Sequence, residues 1–151
     1  MNLLDQFALF STQIVKLHAE LLQSFRPEDS IQARVEIKLS PAKLAVEVKG
    51  MPGYQVGMRL ACDGIKMVED QEVKIFNIEC LLNAGYRQIS GSPLSFEEFS
   101  QNHSSLTRQL YPIIHHQLIP ILSQLGLHNV RLPQDIIHTQ PEVIEVPKQV
   151  H

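Results

Sequence analysis

The stretch Ser104 to Pro133, SSLTRQLYPIIHHQLIPILSQLGLHNVRLP, constrains this chain more than any other. Leu106, Leu110, Ile113, Ile114, Leu118, Ile121, Leu122 and Leu125 recur three and four residues apart, a spacing that gathers them on one side of an α-helix. With Tyr111 added, and at about 100° per residue, the apolar side spans roughly half the circumference, whereas a helix on one sheet needs little more than about a third. One layer of partners leaves part of that side uncovered. Pro112 and Pro120 stand inside the same pattern; each removes a backbone donor and presses on the preceding turn, so a kinked helix is expected. Gly126 supplies the positive φ that ends a helix, and Val130 to Pro133 leaves it as an extended segment.

Upstream of this helix the periodicity is that of strands. Leu3, Leu4, Phe7 and Phe10 fit a short helix over about residues 2–11. Val15, Leu17, Ala19 and Leu21 then alternate with Lys16, His18 and Glu20, which predicts a strand. Arg26 to Asp29 reads as a turn. Val35, Ile37 and Leu39 alternate up to Ser40-Pro41, and Leu44, Val46 and Val48 alternate with Glu47 and Lys49. After Gly50 to Gly53 the pattern resumes with Tyr54, Val56, Met58, Leu60 and Cys62 against Gln55, Arg59 and Asp63. Strict alternation indicates antiparallel sheet with one face covered and one wet.

In the last strand, Val73 to Ile89, parity changes: Val73 and Ile75 are odd, while Phe76, Ile78, Cys80, Leu82, Ala84 and Tyr86 are even. A one-residue slip sends every later side chain to the other face, so a β-bulge is predicted near Ile75-Phe76. Ser95-Phe96-Glu97-Glu98 forms a capping box that starts a short helix bearing Phe96 and Phe99. The expected architecture is α+β: a four-stranded antiparallel sheet with a short helix and a long kinked helix on one face. Residues 1–138 form its one domain. The segment 139–151 is a tail, flexible in the preferred reading and an added edge strand in the other.

Composition narrows the function classes. The 151 residues are 44% apolar and 19% charged with a net charge of −3, which offers no basic field for nucleic acid. No run approaches the roughly 18 apolar residues of a membrane span, and the amino end lacks the features of a secretory signal. Cys62 and Cys80 sit inside apolar strand patterns and read as reduced core residues, so a cytoplasmic location is expected.

Chemical motifs are sparse. Seven histidines invite a metal reading, yet His115 and His116 are adjacent and point about 100° apart on a helix, and neither HExxH nor CxxC occurs. Ser92, Ser95 and Ser100 lack a G-x-S-x-G setting, and Glu97-Glu98 is explained by capping and the helix dipole. No metal, cofactor or catalytic residue is therefore assigned, and the chain is not expected to be an enzyme. The rival from another class is a small-molecule pocket, hydrolase or isomerase, with Asp63, Glu79 or His115 as base. Glu79 falls on the wet face of the alternation, away from helices that would wall such a pocket. A third reading is an adaptor of the same fold that binds one folded partner.

Three local patterns resemble the SecB family of protein-export chaperones. Ile75-Phe76-Asn77-Ile78-Glu79-Cys80 running on to Gly85-Tyr86 resembles that family's third-to-fourth strand region. Leu110-Tyr111-Pro112 resembles the leucine-aromatic-proline entry to its long helix, and Leu132-Pro133 the segment that follows it. The likeness covers roughly Gln13 to Ile137 and rests on the joint order of the motifs. It implies a cytosolic homotetramer, a dimer of dimers, that holds unfolded polypeptide clients in apolar grooves without nucleotide. The excess apolar side of the long helix would then face a neighbouring subunit or the groove, with Tyr111, Leu118, Ile119 and Leu122 as the interface.

Uncovered apolar surface and long strand edges likewise call for a homo-oligomer. Tyr54, Met58, Phe76, Tyr86, Phe96 and Phe99 suit adaptable contacts with extended peptides and form the candidate client set. Glu79, and with it Glu20, matches positions at which the family docks on the translocation motor. Here, however, Lys16, Arg34, Lys38, Lys49, Arg59 and Arg87 share that face, and Glu142 and Glu145 are the tail's acids. Steering towards a basic motor is therefore weak, and this favours the family's other role, guarding the antitoxin of a toxin–antitoxin pair.

Overall fold

The computed structural model describes residues 1–43, 47, 49–128, 130 and 132, together with the backbone of 142–146. Four long strands, β1 (Phe7–Leu21), β2 (Gln32–Lys43), β3 (Gly53–Val68) and β4 (Gln71–Gln88), precede a short helix α1 (Phe96–Gln101) and a long helix α2 (Thr107–Gln124). A fifth strand, β5 (Glu142–Val146), follows. All pairings are antiparallel, in the order β1-β4-β3-β2-β5. The alternation expected at Leu44, Val46 and Val48 lies outside the described residues, and Lys49 stands in a turn at φ 54°.

Alternation does build the sheet. Tyr54, Val56, Met58, Leu60 and Cys62 of β3, and Phe76, Ile78, Cys80, Leu82, Ala84 and Tyr86 of β4, are all buried on the helix side. The parity change in β4 is a bulge: Gly64 pairs with Phe76 and Ile65 with Lys74, leaving Ile75 as the extra residue. The bulge turns both Ile75 and Phe76 inward. It also lays the Phe76 ring on the Gly64 backbone, where an added Cβ would stand 1.9 Å from the ring. Only glycine fits there.

The chain start differs from expectation. A single 3₁₀ turn at Leu3–Asp5, its Leu4 N–H held by the Asn2 side chain, takes the place of a helix over 2–11, and strand begins at Phe7. Phe7 and Leu9 suit either period; pairing with Gln88 and Tyr86 decides in favour of strand, because a free β4 edge is there to satisfy the backbone. Two bulges, at Phe10 and Val15, interrupt this pairing and were not legible in the sequence.

The helices behave as their ends dictate. Ser95 accepts from the Glu98 N–H at 3.1 Å while the Glu98 carboxylate reaches back to Ser95. At the far end Gly126 has φ 78°, its N–H bonds Ser123 O at 3.0 Å, and Leu127 N–H bonds Leu122 O at 2.8 Å. This is a Schellman closure, with buried Leu122 and Leu127 as its apolar pair. α2 continues through both Pro112 and Pro120 and packs on β4. The segment 142–146, for which a flexible tail was preferred, is instead a strand on the edge of β2.

Candidate functional site

The expected client set is mostly core. Tyr54 is 5% exposed, and Met58, Phe76, Tyr86 and Phe99 are closed to solvent; only Phe96 is half-buried. Tyr54 packs on Phe7, Phe96 and Phe99, its ring 4.6 Å from that of Phe99, and its hydroxyl donates to Leu94 O at 2.6 Å. Tyr86 donates to Gln109 Oε1 at 2.8 Å. Burial raises the pKa of both phenols. Aromatic character marked them as sticky; what the sequence could not show is that α1 and α2 already cover them.

The wide face of α2 resolves similarly. Tyr111, Leu118 and Leu122 are buried against the chain's own sheet, and Ile113, Ile121 and Leu125 are partly buried beside them. Of the expected interface only Ile119, half exposed, remains available to a partner. It lines a groove of about 380 Å³ with His115, Leu122, Ser123, Leu127 and His128. Among the described residues that line this groove none is a carboxylate. Among the described residues no three His, Cys, Asp or Glu converge on a metal site.

The apolar surface lies elsewhere, on β1. Leu17 pairs with Cys80 and Leu21 with Phe76. Directly paired residues share a face, and Cys80 and Phe76 are fully buried on the helix side. Leu17 and Leu21 nevertheless remain 48% and 42% exposed, with Leu22 at 42% beside them. The sheet is wider than its helices, and its β1 margin presents leucines on a face that elsewhere forms the core. The signal was present in the alternation at Val15 to Leu21. It indicated direction correctly, while coverage depends on the position of α2.

The open face carries the charges. Glu79 and Glu20 both lie there, at register positions opposite His18 and Asn77. Glu79 is bound by Lys16 Nζ at 2.8 Å and by an Arg59 nitrogen at 3.1 Å. The hydrogen bonds from Lys16 and Arg59 hold its carboxyl below the ordinary range, the reverse of what a general base requires. Glu20 lies 3.2 Å from His18. Asp63, the remaining candidate base, accepts from Asn77 at 2.7 Å and lies 3.5 Å from Lys74. Arg34 holds Glu72 through both guanidinium nitrogens, at 2.9 and 3.4 Å. Among the described residues this face mixes acids with bases, and Glu79 sits between two cations.

Comparison with known proteins places this fold. No protein-family model matches the chain, and no curated protein does. Among solved structures it is similar to the SecB-like chaperone Rv1957 of Mycobacterium tuberculosis, solved in complex with a ChAD peptide from the Rv1956 HigA1 antitoxin, with a TM-score of 0.65 and 13% identity. That match covers 87% of this chain and 92% of the other. A protein of unknown function from Streptococcus agalactiae matches at a TM-score of 0.45 and 11% identity, covering 87% of this chain and 98% of that one. The α+β fold seen here is the SecB-like one.

Proposed function

We propose that the chain is an ATP-independent holdase chaperone that binds non-native polypeptide, with an antitoxin segment as the client class that suits it best. The observation that carries this reading is the SecB-like fold, shared over 87% of this chain with a chaperone solved in complex with a peptide. The similar Rv1957 was captured with an antitoxin peptide, which supports a peptide as partner.

The pairing of Glu79 argues for antitoxin over export. A docking carboxylate already held by Lys16 and Arg59 must give up two partners before it meets a basic motor surface. The holdase therefore binds the motor weakly at most. Assembly is part of the same proposal: β1 has an outer edge with no strand on it among the described residues, and a second copy would both satisfy that edge and cover its leucines. A dimer built this way, paired again into a tetramer, acts in the cytoplasm. No catalytic step is assigned to it.

Aggregation of a chemically denatured protein, followed by light scattering with and without this one and with no ATP added, tests the function. Suppression at about stoichiometric ratio is expected. Aggregation unaltered at excess would remove the holdase reading. Titration with the translocation motor at physiological salt, alongside Glu79→Lys, tests the choice between roles: submicromolar binding abolished by that substitution would restore a dedicated export chaperone.

A further inference from the structure

β5 attaches to the sheet as a bound peptide would. It is five residues long against 12 to 18 in the other four strands. It pairs only with β2, running Ala33↔Val146, Arg34↔Glu145, Val35↔Ile144, Glu36↔Val143 and Ile37↔Glu142. No tight hairpin delivers it, since β3, β4 and both helices intervene in sequence between it and β2. Pro141 and Pro147 bracket it, and a proline on either side limits how far a strand can pair. On β2 the pairing ends at Ile37, four residues before Pro41, which has no amide hydrogen to offer.

The register defines what this edge selects. Val35 and Ala33, opposite Ile144 and Val146, point to the core side and are 0% and 2% exposed, whereas Glu36 on the alternate parity is exposed. Pairing through main-chain groups reads no sequence, so it admits many clients; alternate apolar positions then set a preference for β-branched extended segments. Glu145 stands opposite Arg34, which sets a further preference for an acid at that register position.

We propose that β2 from Ala33 to Ile37 is an acceptor edge for an extended, β-branched client strand, and that β5 occupies it until such a strand displaces it. The proposal rests on the holdase reading above and adds where and how one client segment binds. A tethered occupant faces its site at an effective concentration on the order of millimolar, so β5 acts as a threshold. Weak or folded chains do not displace it; non-native segments at high local concentration do.

Two variants of the full chain test this, read with a fluorescein-labelled peptide of the sequence of residues 139–151 and with the aggregation assay. Ile144→Pro breaks the pairing of β5, and its affinity for the peptide should rise at least roughly tenfold over the unsubstituted chain. Glu36→Cys with Val143→Cys places two thiols at directly opposed positions on the register; oxidation locks β5 in place, while Cys62 and Cys80 stay buried and apart from the reaction. The oxidised form should bind peptide at least roughly tenfold more weakly than the reduced form, and suppression of aggregation should fall with it. Equal peptide binding and equal suppression in oxidised and reduced forms overturns the acceptor edge and leaves the holdase standing. Absence of suppression by the unsubstituted chain and every variant removes both. If Ile144→Pro loses its cooperative melt, the oxidised and reduced pair alone decides.

Discussion

The two margins of this sheet meet the same physical demand in different ways. A free strand edge is a row of unpaired N–H and C=O groups that another chain can join. β2 is covered along Ala33 to Ile37 by β5. β1 bears no strand on its outer side among the described residues, and its register is broken twice, at Phe10 and Val15. Bulges twist an edge and spoil its fit to an arbitrary partner, yet between and beyond them β1 exposes Leu17 and Leu21. One edge is filled by the chain itself; the other keeps apolar side chains for a second molecule. An exposed margin with leucines on its core-facing side is costly for a monomer and useful for an assembly.

The largest expected effect tests the open margin. Light scattering should give a mass above that of one chain, and Leu17→Asp with Leu21→Asp should return it to the monomer, since two half-exposed leucines lost from each chain's side of an interface weaken association by about 1.5–3 kcal/mol per chain. A monomer before any substitution would break the contrast between the edges. Next comes the core beside them. Leu118→Ala removes a fully buried side chain and should lower stability by about 2–5 kcal/mol in chemical denaturation with the mass per particle unchanged. Ile119→Ala, half exposed, should cost less than about 0.5 kcal/mol. Were Ile119→Ala to dissociate the assembly instead, α2 would displace β1 as the joining surface.

Acid gives a smaller contrast. Each margin is pinned to β4 on the open face by one carboxylate, β1 through Lys16 to Glu79 and β2 through Arg34 to Glu72. Hydrogen bonds from their cationic partners hold both carboxyls below the ordinary value of 4.5. A lowered folded pKa means stability that is present above 4.5 and lost as pH falls through the lowered value. The denaturation midpoint should therefore drop on acidification below pH 4.5, and Glu79→Gln should flatten part of that drop. Salt should blunt it too, more at the exposed Glu72 than at the half-buried Glu79.

The smallest signal concerns the middle of the sheet. Burial pushes the Cys62 thiol up to about 12 and raises that of Cys80, so a thiol reagent at pH 8 should label the native protein far more slowly than the unfolded one. Ile144→Pro should leave this protection in place. Fast labelling in that variant would mean that opening the β2 edge also opens β3.

The sequence by itself determined which face of each strand is apolar, the bulge at Ile75, the capping box at Ser95 and the helix end at Gly126, because each follows from local periodicity or the conformational demands of a few adjacent residues. It also carried the order of elements through which the SecB-like fold was legible. Only the tertiary structure decided coverage. Tyr54, Met58, Tyr86, Phe99 and Tyr111 point the way their spacing says, and whether such a side chain ends as core or as contact surface depends on where α1 and α2 come to rest. Leu17 and Leu21 alternate as faithfully as Leu60 and Cys62, yet stay exposed because they stand on the outermost strand. The segment Glu142–Val146 reads equally as flexible or as strand until an unpaired β2 edge is brought beside it, and that edge is formed by residues roughly a hundred positions earlier in the chain.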